Sequence, residues 1–242
     1  MTIELERRAF VQTGCVLTAG AALATALPLT PAAAQTQAPV PAAKPATYSV
    51  KPLPFDPKTI KGLSERILVS HYENNYTGAV NRLNTITAQL TGLDYASAPG
   101  FLINGLKREE LIATNSMILH ELYFAGLGEE SRPGAALADA IARDFGGMDH
   151  WRAEFVAMGK AQGGGSGWVL LTWSPHDKRL VNAWAADHTT TIAGGQPILA
   201  LDMYEHAYHM DYGAKAAAYV DAFMQTIRWS NADGLYQQYS RT

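Results

Sequence analysis

Residues 201–210 read LDMYEHAYHM, which sets Asp202, Glu205, His206 and His209 among Leu201, Met203, Tyr204, Ala207, Tyr208 and Met210. Ionisable groups loaded into an apolar run are either metal ligands or the polar start of a half-buried helix. Asp202 ends a strand-like stretch, where a carboxylate serves as a helix N-cap or as a ligand. It does both only if its two oxygens divide the work. His206 follows four residues later, about one helical turn away. Glu205 is placed either to orient an imidazole through its second nitrogen or to carry a solvated surface charge.

Two more histidines share this ambiguity. Leu63, Ile67, His71, Asn75, Ala79 and Leu83 recur every four residues, with His71 and Asn75 in the middle of the stripe. On a second helical face His120 lies with Leu111, Met117, Tyr123, Phe124 and Leu127. A single histidine on an apolar helix face is ordinarily a core residue with one hydrogen bond. Two facing helices with one each, beside a terminal cluster holding Asp202 and His206, favour a metal site. Three neutral imidazoles and one carboxylate suit iron or manganese. Zinc takes such ligands too, so ligand type alone leaves the metal open.

The elements that must position these groups can be read from the periodicity. A long helical pattern runs from about residue 59, and a loop follows around 94–104. A second helix spans about 108–127, so the first half reads as a helical hairpin with one inward histidine on each arm. Helices are expected at 134–145 and 151–160, broken by QGGGSG (162–167). WVLLTW (168–173), RLVNAWA (179–185) and ILALD (198–202) read as strands. Helical patterns over 214–227 and 231–239 close the chain. The expected class is α+β, with a helical hairpin (59–130) followed by a domain (131–242) of helices around a small three-stranded antiparallel sheet.

The bulk numbers bound the rest. With 242 residues, 48% hydrophobic, 17% charged and a net charge of -3, the chain has ordinary globular composition. It carries no electrostatic footprint for nucleic acid. Residues 1–34 differ: Arg7-Arg8 and Phe10 precede a mildly apolar Ala/Leu/Thr run ending in Ala32-Ala33-Ala34. That is the pattern of a secretory signal, of the twin-arginine type. The run is short and interrupted by Thr, Gly and Pro, so neither an anchor nor membrane association after cleavage is expected. Cys15, the only cysteine, lies before most of that run, which speaks against lipidation. Export to the periplasm, or otherwise out of a bacterial cell, would leave a cysteine-free protein whose metal is held by His, Asp or Glu. Residues 35–58, rich in Pro and Ala, read as a linker and an N-terminal arm from about Tyr48.

These segments taken together resemble the iron/manganese superoxide dismutases over about residues 48–240. LDMYEHAYHM looks like the family's D-x-W-E-H-A-Y-Y signature, and RDFGGMDHWRAEF (143–155) and GSGW (165–168) also match typical segments. HYENNYTGAVNRLN (71–84) resembles the ligand-bearing helix. The resemblance implies one Fe or Mn ion per subunit, held by His71, His120, Asp202 and His206, and dismutation of superoxide to dioxygen and hydrogen peroxide. It also implies a homodimer with metal sites near the interface, in which Glu205 bonds a ligand histidine of the other subunit. Trp168 matches an aromatic residue lining the active site.

Several positions depart from the family pattern. The glutamine that bonds the metal's solvent is missing; the helix position is Ser116 and the sheet position His188, and a histidine at the sheet position is a known variant. His188 is therefore the expected solvent partner, although a strand-end histidine can also be a plain surface residue. The gateway tyrosine is Ala79, the histidine four residues after the first ligand is Asn75, and the tyrosine that reaches across the dimer is His209. Tyr204 replaces the signature tryptophan. Losing the gateway tyrosine bears more on proton delivery and product release than on metal binding. It leaves open the alternative of a metal-binding homologue with little or no dismutase activity.

Overall fold

The computed structural model describes residues 44–241. The expected signal (1–34), Cys15 within it and the first part of the linker (35–43) lie outside the described residues. From Lys44 the chain is an extended arm. Tyr48 is tied to Asn84 by two hydrogen bonds, its N–H donating to Oδ1 at 2.8 Å and its carbonyl accepting from Nδ2 at 2.9 Å. A 3-10 turn at Pro57–Thr59 ends the arm.

Helix α1 (Glu65–Ser70) starts at the N-cap Ser64, whose hydroxyl accepts from Ile67 N–H. It passes without a break into a π-helical segment, His71–Tyr76, and then into α2 (Thr77–Thr91). The π segment explains the four-residue stripe. On an α-helix a step of four residues overshoots one turn by about 40°. Four such steps would carry the stripe from Ile67 to Leu83 about 160° around, nearly to the far side. A wider i→i+5 turn in the middle winds back part of this drift, and His71, Ala79 and Leu83 all stay buried.

Helix α3 (Gly100–Gly126) packs against α2, so the first half is a helical hairpin. It begins eight residues before the expected start. Pro99 and Gly100 read as loop punctuation, yet Pro99 is the N-cap, and its carbonyl accepts from Leu102 and Ile103. Leu111, expected on the inward face, is exposed, and Ala113 and Ser116 take the buried positions.

In the second half α4 (Ala135–Phe145) and α5 (Met148–Ala161) lead into β1 (Trp168–Ser174), β2 (Arg179–Ala185) and β3 (Gln196–Asp202). The sheet is antiparallel with order β2-β1-β3, so every residue of the central strand β1 is buried. A short 3-10 turn (Glu205–Ala207) and helices α6 (His209–Tyr212), α7 (Ala216–Phe223) and α8 (Trp229–Tyr239) close the fold. Trp151 of α5 packs edge-on against Trp229 of α8, with the rings 5.0 Å apart, and against Phe155 of its own helix at 5.3 Å. Among the described residues no helix is long and apolar enough to cross a membrane.

Candidate metal centre

One end of the sheet gathers the candidate residues. Trp168, the first residue of β1, pairs with Asp202 at the end of β3 and with Ala185 at the end of β2. His188 follows three residues beyond Ala185. Gly167 makes this arrangement possible. Its φ is 134°, and a Cβ there would lie 2.3 Å from the Ala185 carbonyl oxygen. Its own carbonyl accepts from Met203 N–H at 2.9 Å, which secures the turn after Asp202. The GSGW segment thus brings three strand ends together because its second glycine has no side chain.

His71 from the π segment, His120 from α3, and Asp202 and His206 from the strand end and the turn after it bring one donor atom each within 4.8 Å of one another. His71, His120 and Asp202 are almost completely buried, and the His206 side chain is 25% exposed. Asp202 divides its oxygens: Oδ1 accepts from Tyr204 N–H at 2.8 Å, and Oδ2 lies at the centre of the cluster. There Oδ2 is 3.1 Å from His71 Nε2, 3.2 Å from His206 Nε2 and 3.6 Å from His120 Nε2. Asp202 thus closes a local turn onto Tyr204 N–H with one oxygen and joins the cluster with the other, while the expected N-cap role falls away, because Tyr204 is the N-cap of the turn that follows. Its backbone carbonyl accepts from the buried Tyr219 hydroxyl at 2.8 Å.

The protonation pattern fits a cation. His120 donates from Nδ1 to the Ser116 carbonyl at 2.6 Å, which leaves Nε2 as a lone pair aimed into the cluster. The Nε2 atoms of His71 and His120 are both buried without an aligned hydrogen bond. His71 Nε2 is within 3.1 Å of a carboxylate oxygen, yet its angle is wrong for a hydrogen bond. Buried polar atoms are normally paired. Burial holds both imidazoles below their ordinary pKa, His120 down to about 3, so they stay neutral as ligands must. Burial alone would raise the Asp202 pKa, but His206 and His71 more than reverse it and keep the carboxylate ionised. Three imidazoles around one buried carboxylate oxygen are the donor set for a single first-row metal ion, iron and manganese included.

Around this cluster lies a cavity of about 280 Å³ whose lining includes Asn75, Ala79, Ser116, His120, His188 and His206. The structure thus brings Asn75 and Ala79 to the same space as His188. His188 is half-buried, and its Nδ1 accepts from the Trp168 indole N–H at 3.0 Å. Its ring stacks on Tyr204 at 4.7 Å, and Tyr204 stacks in turn on His206 at 5.3 Å. Tyr204 is thereby sandwiched between the two histidines. Trp168 is fully buried, edge-on to His120 at 5.3 Å. Glu205 and His209 are exposed on this chain and stand outside the four-donor cluster. A larger cleft, about 470 Å³ between the arm, α3 and α8, contains none of the four donors.

Sequence reasoning missed three supporting groups. The Ser116 carbonyl is a backbone atom and leaves no trace in residue type. Tyr219 falls within the helical pattern over 214–227, and the reach of its hydroxyl to the Asp202 carbonyl follows only from the packing of α7. Gln162, read as part of a loop, is buried, and its amide reaches toward the carbonyls of Trp168 and Ala185 at 3.4 and 3.3 Å.

Fold and site together have the form of a single-metal protein of the α+β class, with candidate ligands drawn from a helical hairpin and from the end of a small sheet. Comparison with known proteins names the family. Residues 133–234 match the family described as iron/manganese superoxide dismutases, C-terminal domain. The chain is 68% identical over 185 residues to an iron superoxide dismutase of Cupriavidus metallidurans, covering 76% of this chain and 94% of the relative. A manganese superoxide dismutase of Halobacterium salinarum is 36% identical over 202 residues, covering 79% and 96%. An iron superoxide dismutase of Aquifex pyrophilus is 34% identical over 181 residues, covering 72% and 84%. The chain belongs to the iron/manganese superoxide dismutase family.

Proposed function

We propose that this protein is a superoxide dismutase, converting superoxide to dioxygen and hydrogen peroxide at one iron or manganese ion held by His71, His120, Asp202 and His206. The observation that carries the reading is the convergence of these four donors, two with orphaned buried nitrogens, in a chain whose relatives are iron and manganese superoxide dismutases. When bound, the metal supplies a one-electron couple that takes an electron from one superoxide and returns it to another.

The chain's own groups supply the rest. Because Trp168 donates to Nδ1, neutral His188 carries its proton on Nε2. His188 is on the cavity wall, so this N–H is the donor available to solvent or substrate in the cavity. Ser116 fixes the tautomer of His120, and Tyr219 and Tyr204 N–H hold Asp202 in place. Trp168 closes the buried side of the site against water.

The active form is a homodimer, and its signal takes it across the inner membrane by the twin-arginine route to the periplasm. The exposed Glu205 and His209, next to the metal turn, support the dimer, because both lie in the segment that resembles the family's interface signature. The Arg7-Arg8 pair and the Ala32-Ala33-Ala34 end support export.

The deciding experiment uses mature protein reconstituted separately with iron and manganese. Elemental analysis and an assay of superoxide removal are run on each form. One metal per chain with dismutation by at least one form is expected, and His206→Ala should lose both. Stoichiometric metal with no dismutation by either form would instead make the chain a metal-binding homologue. Sedimentation equilibrium tests the dimer, and Glu205→Ala should weaken it.

A further inference from the structure

We infer that Arg82 is the charge that draws the anionic substrate into the cavity, and that Glu109 partly masks it. The inference rests on superoxide being the substrate.

Among the described residues, Arg82 is the only permanently charged side chain in the lining of the 280 Å³ cavity; its other walls are Asn, Gly, Ala, Ile, Ser and His. It lies on α2 three residues after Ala79 and four after Gly78, hence on the same helical face as these two small residues. Its side chain is 54% exposed, so it stands at the solvent end of the cavity while the metal donors are buried at the other. The chain as a whole carries a net charge of -3, so its average field does not attract an anion. A single cation at the mouth of a low-dielectric cleft acts on what enters, because field lines are focused there.

Glu109 makes the arrangement adjustable. It projects from α3 and forms an ion pair with Arg82 across the gap between the helices. Ile112 and Ala113, three and four residues further along α3, line the cavity beside it. The pair thus spans the rim, and the carboxylate offsets the positive potential that Arg82 would project. With Ala79 where the family has a large gate residue, no bulky side chain at that position separates the rim from the interior.

The test uses metal-loaded Arg82→Gln, Arg82→Lys and Glu109→Gln proteins. Three quantities are measured: kcat/KM against sodium chloride, the dissociation constant of azide as a small anion probe, and urea stability. Arg82→Gln should lower kcat/KM at low salt by roughly threefold to tenfold, with the gap closing as salt screens the charge. Azide binding should weaken by a similar factor, and Arg82→Lys should restore both. Glu109→Gln should raise kcat/KM and tighten azide by about twofold to threefold at low salt. If the pair is only a staple between α2 and α3, both Gln variants lose stability while kcat/KM and azide affinity stay unchanged, and the inference falls. Should Arg82→Gln fail to fold, the sign of the Glu109→Gln effect decides. An inactive wild-type protein would refute the dismutase reading, and the azide series would still decide whether Arg82 attracts anions.

Discussion

Trp168 and His188 are joined by one hydrogen bond, indole N–H to Nδ1 at 3.0 Å, and its direction sets the chemistry of the cavity. An indole can only donate, so the imidazole nitrogen it meets must accept. The proton of neutral His188 then lies on Nε2. Replacing Trp168 with Phe keeps most of the ring but removes this constraint, and either nitrogen can carry the proton. The metal should remain at full stoichiometry while kcat falls by about tenfold, within the usual range for groups that support a metal site. Nitrogen-15 shifts of His188 should pass from one tautomer to a mixture. Wild-type kcat with an unchanged tautomer would remove Trp168 from the mechanism. As a companion variant, His188→Ala should keep the metal and alter its redox potential.

Much of this arrangement was legible in the residue pattern. The four-residue stripe put His71 on the inward face, and the strand ending in ILALD put Asp202 at the edge of the sheet. What the pattern hid has physical causes. The i→i+5 turn at His71 is set by packing, and it shows only as a stripe too straight for an α-helix. The true start of α3 was hidden by Pro99 and Gly100, which terminate helices in most settings yet here sit at a helix N-terminus. The Arg82–Glu109 pair joins residues far apart in sequence, so only the packing of α2 on α3 reveals it.

Acid should destabilise the metal-free protein in a predictable window. His71 and His120 are held below their ordinary value of 6.5, first of all by burial, and His120 reaches about 3. As pH falls below about 6.5 the unfolded chain takes up these protons before the folded chain does. Stability is therefore fully present above that pH and declines below it, by up to about 1.4 kcal/mol per pH unit for each histidine. Urea titrations of the metal-free protein between pH 7.5 and 4.5 check this. A flat profile would mean that both imidazoles can charge in place. His120→Gln should make the profile shallower.

The alkaline limb has a different origin. Tyr76 is pushed up to about 12, mainly by burial, with Lys51 N–H opposing the rise and Glu121 adding to it. Its hydroxyl donates to Glu121 at 3.0 Å and accepts from Lys51 N–H at 2.9 Å, so it ties the arm to α3. An unfolded tyrosine loses its proton near 10, so stability is intact below that pH and falls as pH rises from about 10 toward 12. Tyr76→Phe should cost about 1–2 kcal/mol at neutral pH through the lost hydrogen bonds. It should also reduce, without abolishing, the loss above pH 10, because burial raises Tyr123 and Tyr219 as well. Urea midpoints at pH 8, 10 and 11 report both effects, and an undiminished alkaline loss in the variant would exclude Tyr76 as a source.

Ala79 offers the sharpest test of how the entrance works. It lines the cavity together with Asn75 and His188, in space that a larger side chain would occupy. Ala79 is not one of the four donors, so Ala79→Tyr should keep one metal per chain. The new phenol would stand between the rim at Arg82 and the buried donors. It would narrow the path for an anion and introduce a hydroxyl that can pass a proton. Entry should slow, lowering kcat/KM and weakening azide, whereas kcat should hold or rise if protonation limits turnover. The split matters more than either value alone. A parallel fall in kcat and kcat/KM would mean that the tyrosine merely blocks the cavity. No change in either would mean that the cavity beside Ala79 is not the route to the metal.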